Sequence, residues 1–218
     1  MKGAPIRAAA LSTRVIPNVD RELAKQLNLT TTFKSIALVT STIDDVGYTA
    51  LDEATKQAAV EVIYAKSFYA GSAHASGPFS GEFIGILGGD SPSEVKSGLD
   101  VVLQEFEQGP CFYSLNEEGT HAYYAHTISR TGTYLSEVAG INPGEPLAYL
   151  IAPPLEAIYG LDAVLKAADV RLCQFYGPPT ETNFGGALLT GSQSSCKAAA
   201  EAFAEAVKQV AQQPHKAF

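Results

Sequence analysis

Residues 149–175 read YLIAPPLEAIYGLDAVLKAADVRLCQF, and residues 38–64 read LVTSTIDDVGYTALDEATKQAAVEVIY. Both run from a short apolar segment through a loop into an amphipathic helix and out into a second apolar strand, and the joints TKQAAVEVIY and LKAADVRLCQF lie over each other. A plan that recurs after about 110 residues has the spacing of a duplicated domain, because solenoid repeats are several times shorter. The chain therefore reads as a tandem repeat, with a first domain over residues 1–110 and a second over residues 111–218.

Composition sets the boundaries of that reading. With 218 residues, 46% hydrophobic and 17% charged, each half is long enough to bury a core of its own. A net charge of -8 gives no basic footprint for a nucleic acid, so no nucleic-acid partner is expected. The apolar runs are too short to span a bilayer, and MKGAPIRAAALSTRVIPNVD at the start has no apolar signal region. The expectation is a cytoplasmic protein with no membrane partner. Cys111, Cys173 and Cys196 are odd in number and include no C-x-x-C pair, which fits reduced, packed thiols better than a disulfide frame or a thiolate metal site.

Further along the chain the two halves match piece by piece. The first opens with an apolar segment ending near Ile16, then Pro17, then Asp20 as cap of a short helix with Leu23 and Leu27 on one side. Its partner is HAYYAHTISRTGTYLSEVAGI at 121–141, with Thr131 or Thr133 as cap and Leu135 and Ala139 on the matching face. SIALVTS at 35–41 and LAYLIAP at 147–153 are too short for helices and read as buried strands. The helices that follow carry Ala50, Ala54 and Ala58 in one copy and Ile158, Leu161, Leu165 and Ala168 in the other as their buried stripes. New strands begin at Val60 and Val170, and others are FIGILGG at 83–89 and ALLTG at 187–191. The last helix of the first half opens on a capping box, Ser91, Pro92 and Glu94, and buries Val95, Leu99, Val102 and Phe106. Cys196, Ala200, Phe203 and Val207 repeat that stripe in the second half. Each unit is then an α+β layer with two helices on one face of a mostly antiparallel sheet, and the other face meets a partner or water.

Catalytic chemistry finds little support. His74, His121, His126 and His215 form no H-x-x-x-H pair, so no metal site is expected. GSQSS at 191–195 lacks the glycines of a nucleophile elbow and matches the helix start GDSPS at 89–93. Gly88, Gly89 and Asp90 form a turn without phosphate-loop spacing. Asp44 and Asp45 stand where a helix begins, and negative charge there complements the positive helix end.

The runs DDVGYTALDEATKQAAVEVIYAKSFYAGS, SRTGTYLS, YLIAPPLEAIYGLDAVLKAADV and ETNFGGALLTGSQSSCKAAAEAF resemble the bacterial microcompartment shell family, specifically its ethanolamine-utilisation members, over about Arg14 to Val210. The resemblance implies an α+β fold of two tandem circularly permuted bacterial microcompartment (ferredoxin-like) domains. It implies a homotrimer shaped as a pseudohexagonal tile, packed with other microcompartment shell proteins, with a gated central pore and small pores. It implies a structural shell component, not an enzyme, with no catalytic residue and no cofactor.

The same resemblance implies an ethanolamine site in which Asp45 and Glu82 hold the ammonium, Thr182 bonds the hydroxyl end and Phe112 walls the cavity. Carboxylates offer an ammonium charge-assisted hydrogen bonds that neutral groups do not, and an aromatic face adds a cation-π term. Bland roles stand beside these: Asp45 as a helix-end acid, Phe112 as interdomain packing, Thr182 as a turn residue in PTETN. The halves diverge most in AKSFYAGSAHASGPFSGE at 65–82 and FYGPPTETNFGG at 175–186, where Gly71, Gly77 and Gly81 are candidate pivots for opening a pore. Two rival readings are a duplicated ferredoxin-like small-molecule sensor, which stays a discrete oligomer instead of forming sheets, and an enzyme, which needs a convergent nucleophile, base or metal set.

Overall fold

The structure, a computed structural model, describes residues 3–29, 32–69 and 79–215. Gly71, His74 and Gly77 lie outside the described residues. The chain divides into two compact units: an N-terminal unit of Arg7–Pro110 with Gly132–Leu135, and a C-terminal unit of Met1–Ile6, Cys111–Thr131 and Ser136–Phe218.

In chain order the elements begin with β1 (Pro5–Ile6), which belongs to the C-terminal unit, and continue with β2 (Ala10–Ile16), α1 (Arg21–Gln26), β3 (Ser35–Ser41) and α2 (Asp44–Gln57). They continue with β4 (Glu61–Ser67), β5 (Phe83–Gly89) and α3 (Pro92–Gln108). The N-terminal sheet has the order β2-β3-β5-β4, antiparallel at every pairing. Alternation along β3 sends Ala37 and Val39 to the buried face packed by α2 and α3, with Val46, Ala50, Leu51, Leu87, Val95 and Val102. Ile36 points the other way, into a cluster with Val19 and Ile86 against which Ala24 and Leu27 pack. The face expected to await a partner is therefore partly covered by the chain's own α1 region. Leu23, expected beside Leu27, instead faces solvent, because α1 ends at Gln26 and Leu27 is already its C-cap.

The C-terminal unit adds β6 (Phe112–Ser114), β7 (Ala122–Ile128), α4 (Thr133–Ala139), β8 (Leu147–Ala152), α5 (Pro154–Ala167), β9 (Val170–Tyr176), β10 (Gly185–Gly191) and α6 (Gln193–Gln212). The first turn of α4 is the exception, since Gly132–Leu135 packs with the N-terminal unit. The six-stranded sheet has the order β1-β6-β7-β8-β10-β9. Ala148, Leu150, Ala187 and Leu189 form one apolar face, and α5 and α6 close it with Ala157, Leu161, Val164, Cys196, Phe203 and Val207. Both long closing helices start at the serines read as caps: Ser91 accepts from the Glu94 amide, with Pro92 in the first turn, and Ser192 accepts from the Ser195 amide, while the Glu94 carboxylate expected to complete a capping box accepts the Ala59 amide at 3.3 Å.

Two helix assignments need correction. The buried stripe of α5 is Ala157, Gly160, Leu161 and Val164, while Ile158 and Leu165 are 49% and 47% exposed. Gly160 explains the rotation, because a Cβ there would stand 2.7 Å from the Phe203 ring, and its absence lets α6 approach on that side. α4 begins at Thr133, which puts the N-cap position on Gly132 rather than on Thr131 or Thr133, and a second helix caps this start. Asp52 of α2 does so from another element, its two carboxylate oxygens accepting the Gly132 amide at 2.7 Å and the Leu135 amide at 2.8 Å. Thr131 instead donates its hydroxyl to the Glu145 carbonyl.

The two divergent loops are shorter than the sequence suggests. β4 runs on to Ser67 and β9 to Tyr176, each held by pairing with the strand that follows the loop. Gly81 takes φ +62, and a Cβ there would stand 2.0 Å from the Ser41 carbonyl oxygen, so its place is a close backbone approach beside β3.

Candidate functional site

Asp45 and Glu82 belong to the N-terminal unit, Phe112 and Thr182 to the C-terminal unit. Phe83 pairs across with Ser41 on one side and Ser67 on the other, so Glu82, the entry to α2 and the end of β4 gather at one end of the sheet. Glu82 is fixed there by its backbone, its amide donating to the Ser41 carbonyl and its carbonyl accepting from the Phe68 amide. Ile43 is the N-cap of α2 and has no side-chain oxygen, so Asp44 and Asp45 fall in the first turn. Both are buried, and an Asp44 carboxylate oxygen accepts the Asp45 amide at 2.9 Å, which satisfies one of the amides a helix start leaves without an intrahelical partner.

Electrostatics tie these groups together. Burial raises the Glu82 carboxyl above its ordinary value, and the negative charge of Asp44 raises it further. Tyr48, one turn into α2, is pushed up to about 12 by burial and then by Asp44 and Asp45, against hydrogen bonds with Ser67 that pull it down. Its ring meets Phe83 edge-on at 5.1 Å and stacks on Tyr134 at 6.3 Å. The result is a half-buried acidic cluster walled by an aromatic residue, an environment that favours a small cation. Sequence reasoning missed Asp44 and Tyr48 as members. Asp44 adjoins Asp45 and Tyr48 stands three residues, about one helical turn, after it, and that was the available signal.

In the C-terminal unit Phe112 is buried on β6, stacked on Tyr124 at 5.2 Å and edge-on to Phe184 at 5.9 Å. Thr182 lies in the turn between β9 and β10, where the Thr180 amide donates to the Phe184 carbonyl and Asn183 takes φ 68. Its hydroxyl is 3.4 Å from that of Thr180. Phe184 links the two expected residues, since it closes the turn that holds Thr182 and packs on Phe112. His121 pairs with Glu156 at 2.8 Å. Among the described residues no group of His, Cys, Asp and Glu is arranged to hold a metal ion, and no helix is long and apolar enough to cross a membrane.

A model of the BMC domain matches residues 35–115. The bacterial microcompartment shell protein EutL of Clostridium perfringens (strain 13 / Type A) is 59% identical over 214 residues, covering 98% of this chain and 99% of its own. The EutL shell protein of Escherichia coli (strain K12) is 50% identical over 209 residues, 96% of this chain and 95% of its own. The crystal structure of ethanolamine utilization protein EutL from Leptotrichia buccalis C-1013-b matches with a TM-score of 0.95 at 61% identity, over 99% of this chain and 100% of that one. With a tandem α+β fold and near-full-length likeness of this order, the chain belongs to the EutL family of bacterial microcompartment shell proteins and is a structural component of such a shell.

Proposed function

We propose that the chain assembles as a homotrimeric, pseudohexagonal tile whose central pore is gated and whose small pores bind ethanolamine. Three chains of two similar units place six units around one axis, which is the smallest closed ring that gives a duplicated chain sixfold pseudosymmetry. Such a tile packs edge to edge with other shell proteins, and its pores set what crosses the shell.

What carries the ligand reading is the gathering of Asp44, Asp45, Glu82 and Tyr48 at one end of the N-terminal sheet. Ethanolamine supplies the ammonium that such a cluster favours, and the solved relative from Leptotrichia buccalis is named an ethanolamine utilization protein. In this proposal Asp45 and Glu82 hold the ammonium, Thr182 bonds the hydroxyl and Phe112 provides apolar wall. Glu82 ends one divergent loop and Thr182 sits in the other, so a ligand touching both only when the loops are packed down favours the closed pore. A ligand moves such an equilibrium only through its difference in affinity for the two states.

Calorimetry with ethanolamine tests the site. Asp45→Asn and Glu82→Gln keep shape and delete charge, and each is expected to weaken binding by about 1.5–3 kcal/mol, the range of a charged hydrogen bond. Unchanged affinity in both variants removes the site, and an open pore in an ethanolamine-saturated crystal reverses the coupling.

A further inference from the structure

α3 and α6 are the same helix in the two repeats, but they carry different side chains toward the neighbouring strand. Aligned from the capping Ser91 on the capping Ser192, Val95 falls on Cys196, Leu99 on Ala200 and Leu103 on Ala204. Leu99 is buried and Leu103 half-buried in the first repeat. Both leucines have become alanine in the second, and β7, against which α6 packs, adds a third in Ala125. The sheets differ at the same place, because β2 is the edge of its sheet whereas β7 is followed by β6 and β1. Short side chains on the helix and an added strand beyond it leave a groove of about 560 Å³ between α6 and the β7–β6 pair, lined wholly by the C-terminal unit. Sites for small molecules span about 300–1,000 Å³.

Two donors stand at one end of this groove. Tyr113 and Tyr123 are cross-strand partners with rings 6.0 Å apart, on the opposite face of the strands from Phe112 and Tyr124. Tyr123 is 1% exposed, and its buried hydroxyl has no hydrogen-bond partner among the described residues. A hydroxyl so placed carries a desolvation cost that an acceptor on a ligand removes. Burial raises the phenol above its ordinary 10.0, and Tyr113 and Glu205 raise it further, so at neutral pH it keeps its proton. Lys208 Nζ stands 5.9 Å from the centre of the same ring and makes no ion pair among the described residues. The remaining charges of the groove are spoken for: Lys197 faces Glu201 at 4.0 Å, and Glu205 is exposed on the rim, where water and salt screen it.

We propose that the groove between α6 and β7 binds a small organic carboxylate, its oxygens accepting from the Tyr123 hydroxyl and the Lys208 ammonium and its apolar body lying along Ala125, Ala200 and Ala204. An ammonium only donates, and the buried phenol beside it has a proton to give, so the group that satisfies both is an acceptor with negative charge. An inorganic anion answers the donors and leaves the alanine floor wet. A carboxylate on a hydrocarbon body answers the donors and covers the floor as well. The first repeat does not reproduce the site, since Leu99 and Leu103 hold the helix positions and no strand of its sheet lies beyond β2 to supply a second tyrosine. The groove shares no residue with the proposed ethanolamine site and takes a ligand of opposite charge, so it stands independently of that reading.

Calorimetry of the full chain with hexanoate tests this, with hexanol, hexylamine and inorganic phosphate as comparison probes. Wild type is expected to bind hexanoate with a dissociation constant below about 1 mM and the other three at least about tenfold more weakly. Tyr123→Phe and Lys208→Met are each expected to weaken hexanoate about tenfold or more, the share of a hydrogen bond to a charged group. Ala204→Leu, which restores the side chain of the first repeat, is expected to abolish binding, and Ala204→Val takes its place if the leucine variant does not fold. Thermal melts supply a readout apart from binding. Tyr123→Phe deletes a hydroxyl without a partner and is expected to melt at or above wild type, so a midpoint well below wild type overturns the premise. No hexanoate binding up to about 10 mM overturns the site. Hexanol or phosphate binding as tightly as hexanoate overturns the ligand class, and undiminished hexanoate affinity in folded Lys208→Met or in the folded Ala204 variant overturns the placement.

Discussion

Asp52 shows how much one buried carboxylate organises. Its two oxygens satisfy two backbone amides at the start of α4, a service that a residue inside the capped helix usually provides. Asparagine in its place keeps one acceptor and turns an NH2 toward the other amide, so Asp52→Asn is expected to cost about 1–3 kcal/mol, the penalty of a buried donor left unsatisfied. Urea unfolding measures it. Burial raises the Asp52 carboxyl above its ordinary 3.8, with the two amides and Lys56 pulling it back. Between 3.8 and that raised value the folded chain keeps a proton that the unfolded chain has lost. Asp52 therefore makes stability fall as pH rises through that window and adds no slope above it. Unfolding midpoints across the acid range are expected to show this slope in wild type and to lack the Asp52 share in Asp52→Asn. None of it was legible in SRTG or in LDEAT, because a cap donated from another helix leaves no local pattern. The serine cap at Ser91 was legible because donor and acceptor sit three residues apart.

At the scale of elements, short strands and amphipathic helices followed from period and punctuation, and the four-residue stripes of α3 and α6 are buried as read. α5 departs from that pattern because it is apolar on both sides, so periodicity alone does not say which side is inside. Tertiary packing decides, through Gly160 against Phe203. Gly160→Val tests the claim. Valine raises helix propensity by a few tenths of a kcal/mol over glycine, yet a Cβ 2.7 Å from the Phe203 ring has to push α6 away. The expected net is a loss of about 1–3 kcal/mol, the usual range for overpacking a dense core. A thermal midpoint that rises in the variant refutes the close approach. The pairing of β1 with β6 was not legible at all, since two strand residues more than a hundred positions from their partner carry no local signal.

For the whole molecule, the duplication was legible in the residues, whereas Asp45 and Glu82 were singled out by the family resemblance and Asp44, noted only as a helix-start acid, and Tyr48 joined them once the strand ends were brought together. Asp44 acts directly on Glu82, and that interaction makes a pH-dependent prediction. Glu82 stands above its ordinary 4.5 because it is buried and faces Asp44. Ammonium binding in the proposed site needs Glu82 ionised, so affinity for ethanolamine declines as pH falls through the raised value, sooner than an ordinary glutamate would allow. A ligand that binds only the folded chain stabilises it by about 2.7 kcal/mol at a hundredfold excess over its dissociation constant. The difference in unfolding free energy with and without ethanolamine cancels the protein's own acid-range slope and leaves the binding term. That difference is expected to be full near neutral pH, to shrink on acidification through the Glu82 transition, and to be small at every pH in Glu82→Gln. A ligand effect that holds constant down to the ordinary carboxylate range removes Glu82 from the ammonium site.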